Sequence, residues 1–477
     1  MLFNSLEFLV FFPLVTLLYF VLPARFRWFH LLAASCVFYM FFVPVYILIL
    51  AFTIVIDYFA GIFIEQAEGK KKKNYLIISL FANIGVLAVF KYYNFFIDNI
   101  NTVLPTSYSL LPLSILLPIG LSFHTFQAMS YTIEVYRGNQ KAERHFGIYA
   151  LYVMFYPQLV AGPIERPQNL LGQFRQEHRF NATTFIDGMR LIIWGLFKKL
   201  VIADRVAIYV NGVFNQPDQH SSPTLLMAAV LFSFQIYCDF SGYSDIAIGT
   251  ARTMGFKLMT NFKRPYFATN IREFWARWHI SLSTWFRDYV YIPLGGNRVA
   301  RSRMYFNLFM VFLLSGLWHG ANWTFVIWGA IHACLIVGYQ LVIDYKLIPQ
   351  FSNRRANPSP ILKFSNWFFT FLLVSLAWVF FRANSVAEAV QILAGIADWH
   401  GTLAWRVESG VSVFSSLSLL ISLIAIGFML IVEWFYTPEM TELKHRPVID
   451  LSFATICLVV MLTWGTFNKS MFIYFQF

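Results

Sequence analysis

The chain has 477 residues, of which 58% are hydrophobic, 19% aromatic and only 13% charged, whereas a soluble protein carries roughly one charged residue in four. This composition excludes a water-soluble protein of this length, which would divide into two or three domains with charged surfaces. The net charge of +12 does not point to nucleic acid, because the basic residues lie in loops between apolar runs, where sorting of Lys and Arg to the cytoplasmic side accounts for them.

A helix needs ~20 apolar residues to cross a bilayer. Runs of this kind follow one another at Leu6 to Leu22, Leu31 to Phe42, Val45 to Ile64, Tyr75 to Phe96, Leu110 to Tyr136, Phe185 to Ile202, Leu225 to Tyr237, Met304 to Leu317, Trp323 to Ile343, Phe364 to Phe381, Val413 to Trp434 and Leu451 to Trp464. Several are short or interrupted, so the expected architecture is an all-α, polytopic membrane protein of about 11 transmembrane helices with short interfacial and broken helices. The whole of residues 1–477 reads as a single integral membrane domain. The segment from Leu110 carries Pro112, Pro118 and Gly120, and broken helices persist in a membrane only where protein or water satisfies the freed backbone groups. No internal repeat is visible, which weighs against a transporter built from two halves. Asn353 to Pro360 is the one linker-like stretch.

Arg25 to Arg27, Lys70 to Lys73 and the loop Arg137 to Arg144 are basic. All three fall in the cytoplasm if the N-terminus is extracytoplasmic. The first span has no basic residue before it and no small-residue cleavage pattern after it, and reads as a retained helix. Cys36, Cys238, Cys334 and Cys457 lie in or beside apolar runs without metal spacing and read as packing.

Polar side chains in the apolar core are costly, so they mark candidate sites. Three such clusters are LPIGLSFHTFQAMSY from Leu117, CDFSGYSDIAIG from Cys238 and GLWHGANW from Gly316. Between the last two, Asn270 to Arg298 has helical amphipathic spacing, with Phe274, Trp278, Leu282, Trp285 and Tyr289 on one stripe and Arg277, Ser281 and Asp288 on another; this suits a helix at the membrane interface. Within it His279 is a candidate functional group. His319 is the sharper one. Gly316, Gly320 and Ala321 leave its backbone uncrowded, and an imidazole can take a proton from a hydroxyl at neutral pH and return it.

The other histidines read as solvated loop residues or, for His124 and His332, as embedded polar packing. A zinc site is not indicated, since no HExxH or paired histidines at four-residue spacing occur. There is no GxSxG elbow. Ser241, Tyr243 and Asp245 are either substrate-binding candidates or groups tying two helices together. Trp318 and Asn322 flank His319.

In sum these segments resemble the membrane-bound O-acyltransferase superfamily, in its alginate O-acetyltransferase branch. The resemblance rests on seven segments in family order: MLFNSLEFLVFFP, LPIGLSFHTFQAMSY, VAGPIERP, CDFSGYSDIAIG, REFWARWHISLSTWFRDYVYIPLGGNR, GLWHGANW and the closing FIYFQF. A sister branch that transfers D-alanine to teichoic acid shares RWHISLS and GLWHG, while IPLGGNR and VAGPIERP match the polysaccharide acetyltransferases. The resemblance implies about a dozen helices around a funnel or tunnel, with His319 in the place of the catalytic histidine and His279 in that of the second motif histidine. The acyl transfer it implies needs donors for an oxyanion, and His279, Trp318 and Asn322 are the candidates.

It also implies a multi-pass protein of the bacterial inner membrane that works in polysaccharide O-acetylation, as in exopolysaccharide or alginate biosynthesis. No cofactor would be bound. The acyl donor would be acetyl-CoA or another thioester, the acceptor an extracytoplasmic polysaccharide, and the partners a periplasmic acetyltransferase or export proteins. The competing readings are a D-alanyl transferase, a non-enzymatic polysaccharide or acyl transporter, and an acyltransferase that keeps His319 but acts on lipid or protein.

Overall fold

The structure, a computed structural model, describes residues 1–105, 108–114, 117–346, 359–409, 412–435, 447–467 and 472–473. Most of the stretch Asn353 to Pro360, His445 and the last four residues of the closing segment lie outside the described residues.

The chain is an all-α, multi-pass membrane protein. Six described helices are long and apolar enough to cross a bilayer: Pro44–Gln66, Gly69–Asn101, Ser222–Thr253, Trp323–Asp344, Pro360–Arg382 and Ser416–Phe435. Leu6–Val21, Val386–Ala397 and Leu451–Trp464 are shorter apolar helices. Outward-facing side chains such as Leu6, Val10, Phe81, Ile361 and Leu462 are large and apolar, a surface suited to lipid. Val407–Ser409 and Ser412–Phe414 pair as an antiparallel ribbon, Val407 opposite Phe414.

Three segments depart from the sequence expectation. Leu110 to Tyr136 is not one span: its helix runs only over Leu121–Arg137, because Gly120 takes a left-handed conformation (φ 79°) and Pro118 and Pro112 precede it. The short run Leu225 to Tyr237 lies inside a 32-residue helix, Ser222–Thr253, so Ser241, Tyr243 and Asp245 are helical. Asn270 to Arg298 is not one amphipathic interface helix but two seven-residue helices, Ile271–Arg277 and Ile280–Phe286, followed by a π-helical turn Arg287–Tyr291. The break falls at His279, whose φ is 44°, and Phe274, Trp278, Leu282 and Trp285 are buried in protein.

The chain divides into two compact units. The first comprises Met1–Gly195 and Tyr243–Met259. Inside it, the buried Asp57 carboxylate accepts hydrogen bonds from Ser79 Oγ (2.6 Å) and Asn83 Nδ2 (2.9 and 3.0 Å), and Ser79 Oγ also reaches Thr132 Oγ1 (2.9 Å). These bonds join three helices where apolar packing alone gives little preference between protein and lipid. Gly61 admits the Tyr131 ring, which would stand 2.7 Å from a Cβ there. The buried Glu165 of VAGPIERP accepts from the Met259 N–H and from Asn169 Nδ2 (2.6 Å), fastening its loop to the segment after Thr253.

The second unit comprises Leu196–Gly242 and Thr260–Ile473. Its centre is a hairpin of Arg301–His319 and Trp323–Asp344. Gly316 and Gly329 let the two backbones touch, and Tyr305 Oη donates to Asp344 Oδ2 (2.9 Å) at the open end. A π-helical turn Lys198–Ala203 widens the ladder so that two successive lysines turn inward. Lys199 pairs with Asp204 (2.8 Å) and Asp239 (2.6 Å), while Lys198 donates to Ser241 Oγ (2.8 Å).

Candidate active site

His279 occupies the junction between the two short helices. A non-glycine residue at positive φ is strained and persists only where its surroundings impose it. Here Asn261 imposes it from both sides of its own peptide: its carbonyl accepts from the Ile280 N–H (2.9 Å), and its Oδ1 accepts from Ser281 Oγ (2.9 Å) and the Ser281 N–H (3.3 Å). The imidazole packs edge-on against Phe240 (ring centroids 4.5 Å apart) and lies 6.0 Å from Trp318. His279 is fully buried, and burial lowers its pKa to about 3; it is a neutral imidazole at physiological pH.

His319 is the last residue of the helix Arg301–His319. Asn322 caps the next helix through Oδ1, which accepts from the Thr324 N–H (3.0 Å), and its Nδ2 donates to the Asn384 carbonyl (3.3 Å). The three-residue connection is tight enough that a Cβ on Gly320 would meet the Phe325 ring at 2.2 Å. His319 is buried among Trp318 (5.0 Å), Trp328 (5.0 Å, planes at 88°) and Phe381 (5.3 Å). Its ring centroid stands 6.4 Å from that of His279.

The two candidate histidines and Trp318 therefore meet in the second unit. Asn322 is near in sequence, but its amide serves the helix cap. Ser241, in the same unit, accepts from Lys198. Tyr243 and Asp245 fall in the first unit, where the Tyr243 ring packs 4.6 Å from Phe3. Sequence reading missed Trp328, Phe381 and Asn261 as neighbours of the histidines. Trp328 had a visible signal, since it stands beside Gly329 on the helix that follows GLWHG, but the partners it would meet were not legible.

Of two imidazoles side by side and walled by aromatic rings, one can accept a proton from a hydroxyl while the other, as the neutral His279, donates a hydrogen bond. Exclusion of water by the surrounding rings strengthens such interactions.

Residues 140–345 match the family model described as MBOAT, membrane-bound O-acyltransferase family. The chain is 39% identical to a probable alginate O-acetylase of Azotobacter vinelandii over 92% of this chain and 86% of the relative. It is 37% identical to a peptidoglycan O-acetyltransferase of Helicobacter pylori, covering 87% of this chain and 83% of the relative. A teichoic acid D-alanyltransferase of Bacillus subtilis is 30% identical over 50% of this chain and 62% of its own length. Taken with the paired histidines in a membrane-embedded helical unit, these likenesses show that the chain belongs to the membrane-bound O-acyltransferase family, in the branch that resembles alginate O-acetylases.

Proposed function

We propose that this protein is an O-acetyltransferase that moves an acetyl group from a cytoplasmic thioester donor, such as acetyl-CoA, to hydroxyls of an extracytoplasmic polysaccharide such as alginate. The observation that carries the reading is the meeting of His279 and His319 at 6.4 Å inside an aromatic shell. His319 takes the proton of the acceptor hydroxyl as its oxygen attacks the acyl carbon. The carbon–sulfur bond breaks, and the proton passes to the departing thiolate. His279, neutral because it is buried, donates a hydrogen bond to the oxyanion of the tetrahedral intermediate.

The relatives' names support an acetyl group and a glycan acceptor over D-alanine, since the D-alanyltransferase likeness covers half the chain. The same reading places the protein as one acyltransferase domain in the bacterial inner membrane. The Lys70 to Lys73 run is then cytoplasmic, the N-terminus extracytoplasmic, and export or periplasmic acetyltransferase proteins are its partners.

The test is acetate ester content of the surface polysaccharide in cells making His319→Ala, alongside protein level and melting temperature in detergent. Loss of a general base lowers transfer by about 100- to 10,000-fold. Interhelical hydrogen bonds in membranes average about 0.6 kcal/mol, so folding is retained. Near-normal acetylation in the His319→Ala protein overturns the reading in favour of a conduit.

A further inference from the structure

Asp57 lies within the membrane-spanning helix Pro44–Gln66 of the first unit and is fully buried. An ionisable side chain in such a segment is costly and marks a functional site by default. Its carboxylate accepts from Ser79 Oγ (2.6 Å) and from Asn83 Nδ2 (2.9 and 3.0 Å), and among the described residues no lysine, arginine or histidine pairs with it. Two neutral donors do not balance a buried negative charge. The hydrogen bonds explain how the helices are joined and leave the charge to be explained.

The atoms around this carboxylate are mostly oxygens. Asp57 Oδ1, Asp57 Oδ2 and the Ser79 carbonyl oxygen stand 3.0, 2.9 and 3.0 Å from Asn83 Nδ2, so three acceptors surround a group that has two hydrogens. Thr132 Oγ1 lies 2.9 Å from Ser79 Oγ and can give its own hydrogen to the Met129 carbonyl (3.3 Å). Ser79, Asn83 and Thr132 are fully buried, and Asn83 Oδ1 has no hydrogen-bond partner among the described residues. Half a turn of the Asn83 amide, whose last torsion is soft and roughly two-fold, brings that oxygen to the place of the nitrogen. Oxygens of Asp57, Ser79, Asn83 and Thr132 then border one spot. An all-oxygen lining suits a hard cation, and one carboxylate balances one positive charge, whereas a divalent ion leaves a charge over. A proton on Asp57 needs a single acceptor, Ser79 Oγ, and leaves the Asn83 oxygen without a partner.

We propose that Asp57, Ser79, Asn83 and Thr132 bind one monovalent alkali cation, sodium or potassium. The carboxylate supplies the charge, and the serine and threonine oxygens and the turned Asn83 carbonyl supply the other ligands, with the Thr132 hydrogen kept on the Met129 carbonyl. The ion ties the helices Pro44–Gln66, Gly69–Asn101 and Leu121–Arg137 together through charge as well as hydrogen bonds. The site takes nothing from the acyl-transfer chemistry proposed above, so its test stands apart from that reading.

The experiment measures the melting temperature of the purified full-length protein in detergent, with sodium or potassium chloride replacing choline chloride stepwise at constant ionic strength and pH. The wild type gains about 3–8 °C, with saturation, in one or both alkali salts, and the salt that acts at lower concentration identifies the ion. Asp57→Asn keeps the size of the side chain and an acceptor for Ser79, and loses that gain. Thr132→Val removes a ligand without touching the charge, and moves the midpoint to about 3- to 10-fold higher salt. A wild-type melting temperature that is equal in choline, sodium and potassium overturns the site and leaves Asp57 to a proton. A gain that persists undiminished in Asp57→Asn also overturns it, because the ion then acts elsewhere. Where Asp57→Asn yields no folded protein, Thr132→Val decides: a raised midpoint supports the site and an unmoved one overturns it.

Discussion

Gly316 and Gly329 face each other at backbone contact across the histidine hairpin: a Cβ on Gly329 would lie 3.1 Å from the Gly316 Cα and 2.6 Å from the Phe312 carbonyl oxygen. The crossing sets where Trp328, the neighbour of Gly329, meets His319. It is the small-residue device by which membrane helices approach closely.

Gly329→Val is expected to push the hairpin apart. Overpacking costs about 1–3 kcal/mol, read as a lower melting temperature, and acetyl transfer falls with it because the wall of His319 moves. Gly338→Ala on the same helix, where a Cβ meets nothing within 4 Å, leaves both unchanged and serves as the control.

The left-handed backbone at His279 depends on Asn261. Asn261→Ala removes the acceptor for the Ser281 hydroxyl and N–H and lets the junction relax. Transfer is expected to drop by at least about tenfold with a stability loss of about 1–2 kcal/mol. Asn261→Asp keeps the acceptor oxygen and recovers activity relative to alanine. Equal activity of both variants would detach the His279 conformation from function.

Lys199 neutralises two buried carboxylates at once. Lys199→Met leaves Asp204 and Asp239 facing each other without their cation, and removing one partner of a buried pair costs about 3–5 kcal/mol. The expected outcome is poor yield of folded protein. Restoration by the combined replacement Lys199→Met, Asp239→Asn, measured as yield and melting temperature, checks that the loss is electrostatic.

Glu165 gives the first unit a pH dependence. Burial raises its carboxyl to about 7, against the hydrogen bonds from the Met259 N–H and Asn169 and the nearby Arg166 charge, which lower it. A carboxyl raised in the folded state holds its proton more tightly there than in the unfolded chain, so stability is greatest below the ordinary glutamate pKa and is lost as pH rises through about 7. The span of that loss is at most about 3 kcal/mol. Melting temperature in detergent should fall between about pH 5 and 8, and Glu165→Gln should flatten that slope. An identical slope in both proteins would place the dependence elsewhere.

The sequence by itself determined the solvent of this protein and the identity of its candidate base. Apolar runs of bilayer length follow from local composition, and the setting of His319 among Gly316, Gly320 and Ala321 follows from chain neighbours alone, so neither needed tertiary information. Tertiary structure decided the rest. The spacing of Phe274, Trp278, Leu282 and Trp285 is helical, yet Asn261 forces His279 out of the helix by binding the Ile280 and Ser281 N–H groups, and a contact between distant segments leaves no periodic trace. His332 looks like polar packing when only its own helix is read. Its unsatisfied nitrogens appear once Trp275 and Trp378, from two other segments, close around it, because hydrogen-bond satisfaction belongs to the packed shell and not to the order of residues along the chain.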